Sequence, residues 1–355
     1  MYSGNEATVM SDEVLEQYIT NHIAAATEKI ITFTWHGGEP TLAGLNFYKK
    51  VVALQQKNCP TDRLIINGIQ TNATLLDDNW CSFLAQEKFL VGISLDGTEN
   101  LHGIHRFTSN KQNSFRKTLA GYHKLLEFGI TPEILCVVHS HNVAYPLEIY
   151  HFFKTLKPQH ITFLPLVEFD PKSPTRVSYD SVPALAFGQF MSTIFDEWVS
   201  EDIGAIKIQL FEEATRTAFN MEHTLCIFKT TCGGVPVLEA NGDIYSCDHF
   251  VSPTHYLGNI RKSSLIELLE SAKQKTFGLA KQQTLPTCCL KCEVRAMCNG
   301  ECPKNRFLKS PDGEQGLNYL CAGYKFFFHH CSGFINAVAH LHNDFNGLQI
   351  SVLLR

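Results

Sequence analysis

Ten of the thirteen cysteines of this 355-residue chain lie between Cys226 and Cys331, while only Cys59, Cys81 and Cys136 precede them. The densest run is Cys289-x2-Cys292-x5-Cys298-x3-Cys302, followed by Cys321. Such spacing brings several thiolates on tight turns toward one point, the arrangement that soft-metal binding needs. Adding Cys226-x5-Cys232-x14-Cys247 gives eight well-separated thiols, enough for two four-thiolate sites. Spacing alone leaves two zinc ions and two [4Fe-4S] clusters equally admissible. An odd cysteine count in a large chain points to a reducing compartment, where thiols serve metal instead of disulfides, and a cytoplasmic location is expected.

Three polar turns offer further chemistry: His36-Gly37-Gly38-Glu39-Pro40, Gln70-Thr71-Asn72 and Ser94-Leu95-Asp96-Gly97. Each follows a strand-like run, namely Ile30 to Trp35, Leu64 to Ile69 and Phe89 to Leu95. Helical periods separate those runs. Ser11 is a plausible N-cap before Val14, Leu15, Tyr18, Ile19 and Ile23, and Leu45–Gln56, Asp77–Gln86, Ser114–Phe128 and Pro146–Leu156 read as helices. Glu133–Val138 and His160–Leu166 complete five strands, and Val182–Ser200 reads as a long helix. Strands alternating with helices predict a parallel sheet with right-handed crossovers, either a parallel α/β barrel or a doubly wound sheet. In a barrel the three turns share the C-terminal rim, where such folds keep their chemistry. Taken singly, a Gly-Gly or Asp-Gly after a strand is an ordinary turn.

Beyond Ser200 the pattern shortens. Asn241-Gly242 between two short extended runs signals a hairpin, Leu265–Glu270 a short helix, and Tyr319–His330 the start of a C-terminal helix. The composition, 44% hydrophobic and 18% charged, suits a large core. Thirty Lys+Arg against 35 Asp+Glu give a net charge of -5 without like-charge blocks, so no nucleic-acid partner is expected. The apolar runs are too short to span a bilayer and Ser3 to Thr8 is polar, so neither a membrane span nor a signal peptide is expected. Asn72-Ala73-Thr74 matches a glycosylation acceptor by chance.

With these motifs in this order, the chain resembles the anaerobic sulfatase-maturating enzymes, radical S-adenosylmethionine (SAM) proteins with a C-terminal auxiliary-cluster (SPASM) domain. The resemblance runs from Met10-Ser11-Asp12-Glu13 to about Tyr324. It rests on Thr34 to Gly44, Gln70-Thr71-Asn72, Gly92 to Gly97, Asn241 to Phe250 and Leu317 to Tyr324. It implies a partial parallel (β/α) barrel over 1–205 that lacks its first strand and cluster loop, a cysteine-rich SPASM domain over 206–330 and a C-terminal helical tail over 331–355. One auxiliary [4Fe-4S] cluster would be held by Cys226, Cys232, Cys247 and Cys302, and the second by Cys289, Cys292, Cys298 and Cys321, with Cys288 blurring the register. Cys59, Cys81, Cys136, Cys288 and Cys331 would stay ordinary thiols.

The resemblance further implies that Gly38, Ser94, Arg106 and Val167 contact SAM, that His36 lies near the substrate peptide, and that Asp248 accepts a proton. Chemically, a glycine turn offers backbone groups to the methionine amine, and Arg106 suits a carboxylate. Asp248 would deprotonate the Cys or Ser side chain of a sulfatase after a hydrogen atom has left its Cβ, yielding Cα-formylglycine. An electron donor such as flavodoxin or ferredoxin is implied as well.

Departures from the family pattern are specific. Its Cys-x3-Cys-x2-Cys loop, which holds the SAM-binding [4Fe-4S] cluster, is not found in the sequence, so a third cluster is expected only if that loop precedes Met1. The expectation is then either an N-terminally truncated record of a maturing enzyme or a non-catalytic iron–sulfur or peptide-binding remnant, with another SPASM peptide-modifying enzyme as a further reading. The family's Asn-Gly is Asn72-Ala73, its Asp-Gly-Pro is Asp96-Gly97-Thr98, and its Gly-Gly-Cys-Pro is Gly300-Glu301-Cys302-Pro303. If the family glycine replaced by Ala73 has positive φ, the alanine costs about 1 kcal/mol.

Overall fold

The structure, a computed structural model, describes residues 9–170 and 172–344. The polar stretch Ser3–Thr8 and the last part of the expected tail, 345–355, lie outside them. Helix α1 (Asp12–Ala25) begins at the predicted cap, where Ser11 Oγ accepts the Val14 N–H at 3.3 Å, and it buries Val14, Leu15, Ile19 and Ile23. Then follow β1 (Ile30–Trp35), α2 (Leu45–Asn58), β2 (Leu64–Thr71), α3 (Asp78–Gln86) and β3 (Leu90–Ser94). After these come α4 (Glu99–His102), α5 (Phe115–Glu127), β4 (Glu133–Val138), α6 (Pro146–Leu156) and β5 (His160–Pro165). A hairpin of β6 (Phe169–Asp170) and β7 (Ser173–Val177) leads to α7 (Ala184–Glu201), β8 (Lys207–Ile208) and α8 (Gln209–Ala218).

Six strands form one sheet in the order β1-β2-β3-β4-β5-β8. The resolved pairings β1–β2, β3–β4, β4–β5 and β5–β8 are all parallel. A doubly wound sheet reverses its strand order partway across. This order never reverses, so the sheet is the arc of a partial (β/α) barrel. The short edge strand β8 was not anticipated from the sequence, because two residues are too few to show a period.

The cysteine-rich region supplies small elements. Strands β9 (Val237–Leu238), β10 (Asp243–Tyr245) and β11 (Tyr256–Asn259) form an antiparallel sheet, with Gly242 turning the predicted hairpin at φ 89°. Next are α9 (Leu265–Leu269), opened by a capping box of Ser264 and Glu267, α10 (Ala272–Gln283), α11 (Thr287–Leu290) and α12 (Arg295–Cys298). A hairpin of β12 (Leu308–Lys309) and β13 (Gln315–Leu317) precedes α13 (Cys321–Asp344). Helix α10 escaped the sequence reading because the residues it buries are Gln274, Gly278 and Lys281, which form no apolar stripe.

The chain divides into two compact units that interleave in sequence: 1–71 with 75–91 and 231–283, and 72–74 with 92–230 and 284–355. In the first unit Val14 of α1 joins Ile244, Ile260, Leu265 and Leu268 in one buried cluster. In the second, α7 and α13 meet at two glycines. A Cβ on Gly188 would collide with the Gly323 carbonyl, and one on Gly323 with the Ala184 carbonyl. That close approach fixes the helix whose first residue is Cys321.

Candidate functional site

In the first unit, β1 delivers His36 and the Gly37-Gly38 turn. Both glycines have positive φ, 97° and 53°, and a Cβ on either would meet open space. Backbone conformation, not crowding, therefore demands glycine here. Glu39 locks the turn: its Oε1 accepts the Thr41 N–H at 3.0 Å and the hydroxyls of Thr41 and Thr71 at 2.6 Å each. Thr71 ends β2, so the Gln-Thr-Asn motif braces the glycine turn directly.

Asp248 also belongs to this unit. It starts a 3-10 turn immediately after Cys247, and its Oδ1 accepts the Cys247 Sγ–H at 3.1 Å and the His249 N–H at 2.9 Å. Crowding by its surroundings pushes the carboxyl up. The Cys247 hydrogen bond, charge interactions with His249 and His36, and the His249 N–H outweigh that and hold it below the ordinary value. The predicted base and the predicted substrate-facing histidine are thus within each other's electrostatic reach. Cys232, the other expected ligand in this unit, donates its N–H to the Gly278 carbonyl at 3.0 Å.

In the second unit, Ser94 ends β3, and Asp96 and Arg106 form a fork. Arg106 Nε and Nη2 donate to the two carboxylate oxygens of Asp96, the latter at 3.1 Å, and Asp96 Oδ1 also accepts the Val137 N–H at 2.8 Å. Asp96 is 2% exposed. Sequence reasoning treated it as a turn residue, yet it aims the guanidinium. The signal was present in Asp-Gly after a buried strand, but nothing in the sequence tied it to a residue ten positions on. Val167 follows β5 with a buried side chain.

Four of the expected thiols come together in this unit. Cys321 feels the charge of Cys292, Cys289 that of Cys321, and Cys298 those of Cys321 and Cys289. Burial foremost, then Glu301, pushes Cys298 up to about 12; burial, then Cys288 and Cys321, does the same for Cys289. Thiols so crowded resist ionising together without a cation among them, and an iron–sulfur cluster supplies one. The donor set fits. Cys288 sits in the same neighbourhood, so the register at 288–289 is as the sequence left it. Cys226 and Cys302 lie in this unit as well, Cys302 buried at the start of a 3-10 turn.

Sequence reading missed the anchors of these loops. Glu213 on α8, 1% exposed, accepts the N–H groups of Thr224 and Leu225 at 3.0 Å each, the Thr224 hydroxyl, and His223 Nδ1 at 2.7 Å. His223 Nε2 meets the Ala296 carbonyl at 2.9 Å, joining the approach to Cys226 with the turn that carries Cys298.

Residues 2–153 match the model of the radical SAM superfamily, and residues 232–293 match that of SPASM, an iron–sulfur cluster-binding domain. A serine-type anaerobic sulfatase-maturating enzyme of Bacteroides thetaiotaomicron is 42% identical over 349 residues, 95% of this chain and 84% of the relative. A cysteine-type enzyme of Clostridium perfringens is 32% identical over 323 residues, 90% of this chain and 86% of the relative. Among solved structures, native anSMEcpe with bound AdoMet and Cp18Cys peptide superposes with a TM-score of 0.85 at 30% identity, covering 94% of this chain and 91% of that one. The chain belongs to the anaerobic sulfatase-maturating enzymes, radical SAM proteins carrying a SPASM iron–sulfur domain.

Proposed function

We propose that this protein oxidises a Cys or Ser side chain of a sulfatase polypeptide to Cα-formylglycine, with SAM and iron–sulfur clusters as cofactors. The observation that carries the reading is the charge interaction between Asp248 and His36, the residue that leads into the Gly-Gly turn. Support comes from serine- and cysteine-type sulfatase-maturating enzymes as relatives and from the peptide bound in anSMEcpe.

When bound, SAM supplies a hydrogen-abstracting radical, and iron–sulfur clusters donate and accept single electrons. The chain's own residues do the rest. Gly38 would present backbone groups to the amino-acid end of SAM, Arg106, held by Asp96, would meet its carboxylate, and Ser94 and Val167 would complete the contacts. Cys289, Cys292, Cys298 and Cys321 would hold one auxiliary cluster, and Cys226, Cys232, Cys247 and Cys302 the other. His36 positions the peptide, and Asp248 takes the hydroxyl or thiol proton once the Cβ hydrogen atom has gone. Loss of one more electron leaves the aldehyde from Ser, or a thioaldehyde from Cys that water converts to aldehyde and hydrogen sulfide. The reductant is a flavodoxin- or ferredoxin-type donor, and the compartment is cytoplasmic.

The test is anaerobic incubation of the reconstituted protein, in a version extended to carry the family's Cys-x3-Cys-x2-Cys loop, with SAM, dithionite and a sulfatase-derived peptide bearing Cys or Ser. Formylglycine detected by mass and by hydrazide capture is the expected result. Production of 5'-deoxyadenosine with the peptide unaltered would move the activity to a different peptide.

A further inference from the structure

We propose that His105, His141 and Asp180 form a divalent metal site of the zinc class, separate from every cysteine ligand and not resting on the functional reading above. The three residues come from different segments of the second unit: His105 follows α4, His141 follows β4, and Asp180 follows β7. One donor atom from each lies within 4.8 Å of the other two. Asp180 Oδ1 is 3.1 Å from His141 Nε2 and 3.7 Å from His105 Nε2. Two donors each about 2.0–2.1 Å from a tetrahedral ion stand about 3.3 Å apart, so the distances already bracket a coordination edge. Nothing has to unfold to admit an ion, since the side chains of His105 and His141 are 33% exposed and that of Asp180 is 46% exposed.

A second observation points to a missing occupant. His139 is 1% exposed, and its ring lies 4.5 Å from that of His105 and 5.8 Å from that of His141. Its Nδ1 accepts the His141 N–H at 3.2 Å, so the neutral ring carries its proton on Nε2. Among the described residues that buried Nε2 has no hydrogen-bond partner. Buried donors are rarely left unserved, and an oxygen held beside the cluster by a metal ion would serve this one. Two imidazoles and one carboxylate leave coordination positions open for such a water. The two borderline imidazole nitrogens select zinc, cobalt or nickel over calcium or magnesium, whose preference is for all-oxygen sites.

Bound metal would pin three loops to one another, including the one that carries Arg106 beside His105. The Ser140 N–H already donates to the Asp180 carbonyl at 3.0 Å, so the ion would tighten a contact that exists. The site is therefore a clamp on the loop that orients Arg106.

The experiment uses cluster-loaded protein, whose ligand thiols are occupied, titrated anaerobically with Zn²⁺ by calorimetry and with Co²⁺ by absorption. The expected result is about one equivalent bound, with cobalt d–d bands and no thiolate charge-transfer band. His141→Gln and Asp180→Asn should each weaken zinc at least about 10-fold at unchanged iron content, and His139→Phe should weaken it about 10-fold by removing the outer donor. No binding, or variant isotherms matching the parent's, would overturn the proposal. Should the variants lose iron, the parent's cobalt spectrum decides: a thiolate band places the ion on cysteine and refutes the site.

Discussion

Glu301 holds the Asn318 amide through a 2.5 Å hydrogen bond, and it does so from a left-handed backbone with φ 53°. Asn318 in turn reaches the Cys302 carbonyl at 3.3 Å and accepts the Leu320 N–H at 2.8 Å, one residue before Cys321. The pair thus ties together two stretches that carry the proposed cluster cysteines Cys302 and Cys321. Glu301 stands where the family pattern has glycine, and the structure keeps the glycine's conformation while the carboxylate, which also accepts from Asn305 at 3.2 Å, offsets the strain. Removing the side chain should be costly, and removing the strain with it less so. Glu301→Ala is expected to melt earlier than Glu301→Gly, by about 1 kcal/mol, because only alanine retains a Cβ at positive φ. Denaturation midpoints of the two cluster-loaded variants check this, and equal midpoints would show no strain at 301.

The Gly188–Gly323 approach leads to a packing prediction. Either glycine changed to alanine drives a methyl into a carbonyl of the facing helix, and overpacking of this kind costs about 1–3 kcal/mol. Because Cys321 opens α13, Gly323→Ala should also release iron faster under chelator than the parent. Iron release at the parental rate, together with lost stability, would uncouple the helix contact from the thiols.

Cys321 is the thiol whose field overlaps Cys292 and, through mutual interaction, Cys289 and Cys298. Cys321→Ser is therefore expected to lose about half of the roughly eight irons that two [4Fe-4S] clusters carry, whereas Cys81→Ser, at a buried thiol of α3, should keep them all. Iron and labile sulfide measured on both variants decide the matter.

Much of this was legible in the sequence, for identifiable reasons. Strands such as β1 were readable because alternating burial at Ile31, Phe33 and Trp35 follows the residue pattern, and β3 because its continuous buried apolar run stops at Asp96-Gly97. The positive φ on which the cost of Ala73 depended is present, at 61°. Its carbonyl and methyl crowd Gly121, which has no side chain to clash with them. What stayed hidden was long-range and polar. Asp96 aiming Arg106, Glu213 gathering residues 223–225 and Glu301 bridging to Asn318 each join positions ten or more apart, and no local periodicity encodes such a pairing.

His160 gives a pH prediction. It opens β5 with Nδ1 3.6 Å from Glu133 and Nε2 3.5 Å from Glu212. Burial pulls the imidazole down, but the two carboxylates more than compensate and raise it from 6.5 to about 9. A folded-state value above the unfolded one stabilises the fold fully below about pH 6.5, and the contribution fades as pH rises through about 9. His160→Gln should therefore lose more stability relative to the parent at pH 6 than at pH 9.5. A pH-independent difference in melting temperature would mean that the histidine acts through packing alone.

The last prediction separates the two halves of the proposed reaction. In a version extended to carry the Cys-x3-Cys-x2-Cys loop, hydrogen-atom removal depends on SAM, whereas proton removal depends on Asp248, so Asp248→Asn should leave 5'-deoxyadenosine formation largely intact while formylglycine falls. One positioned base is typically worth about 10²- to 10⁴-fold in rate. Asp248 also accepts from Cys247 at 3.1 Å, and a merely structural role would show itself as lost iron in the Asn variant. Iron content, 5'-deoxyadenosine and peptide product are therefore measured on the same sample. Reduced product with intact iron and intact SAM cleavage assigns the base, reduced product with reduced iron assigns a support for the Cys247 loop, and full product removes Asp248 from the chemistry.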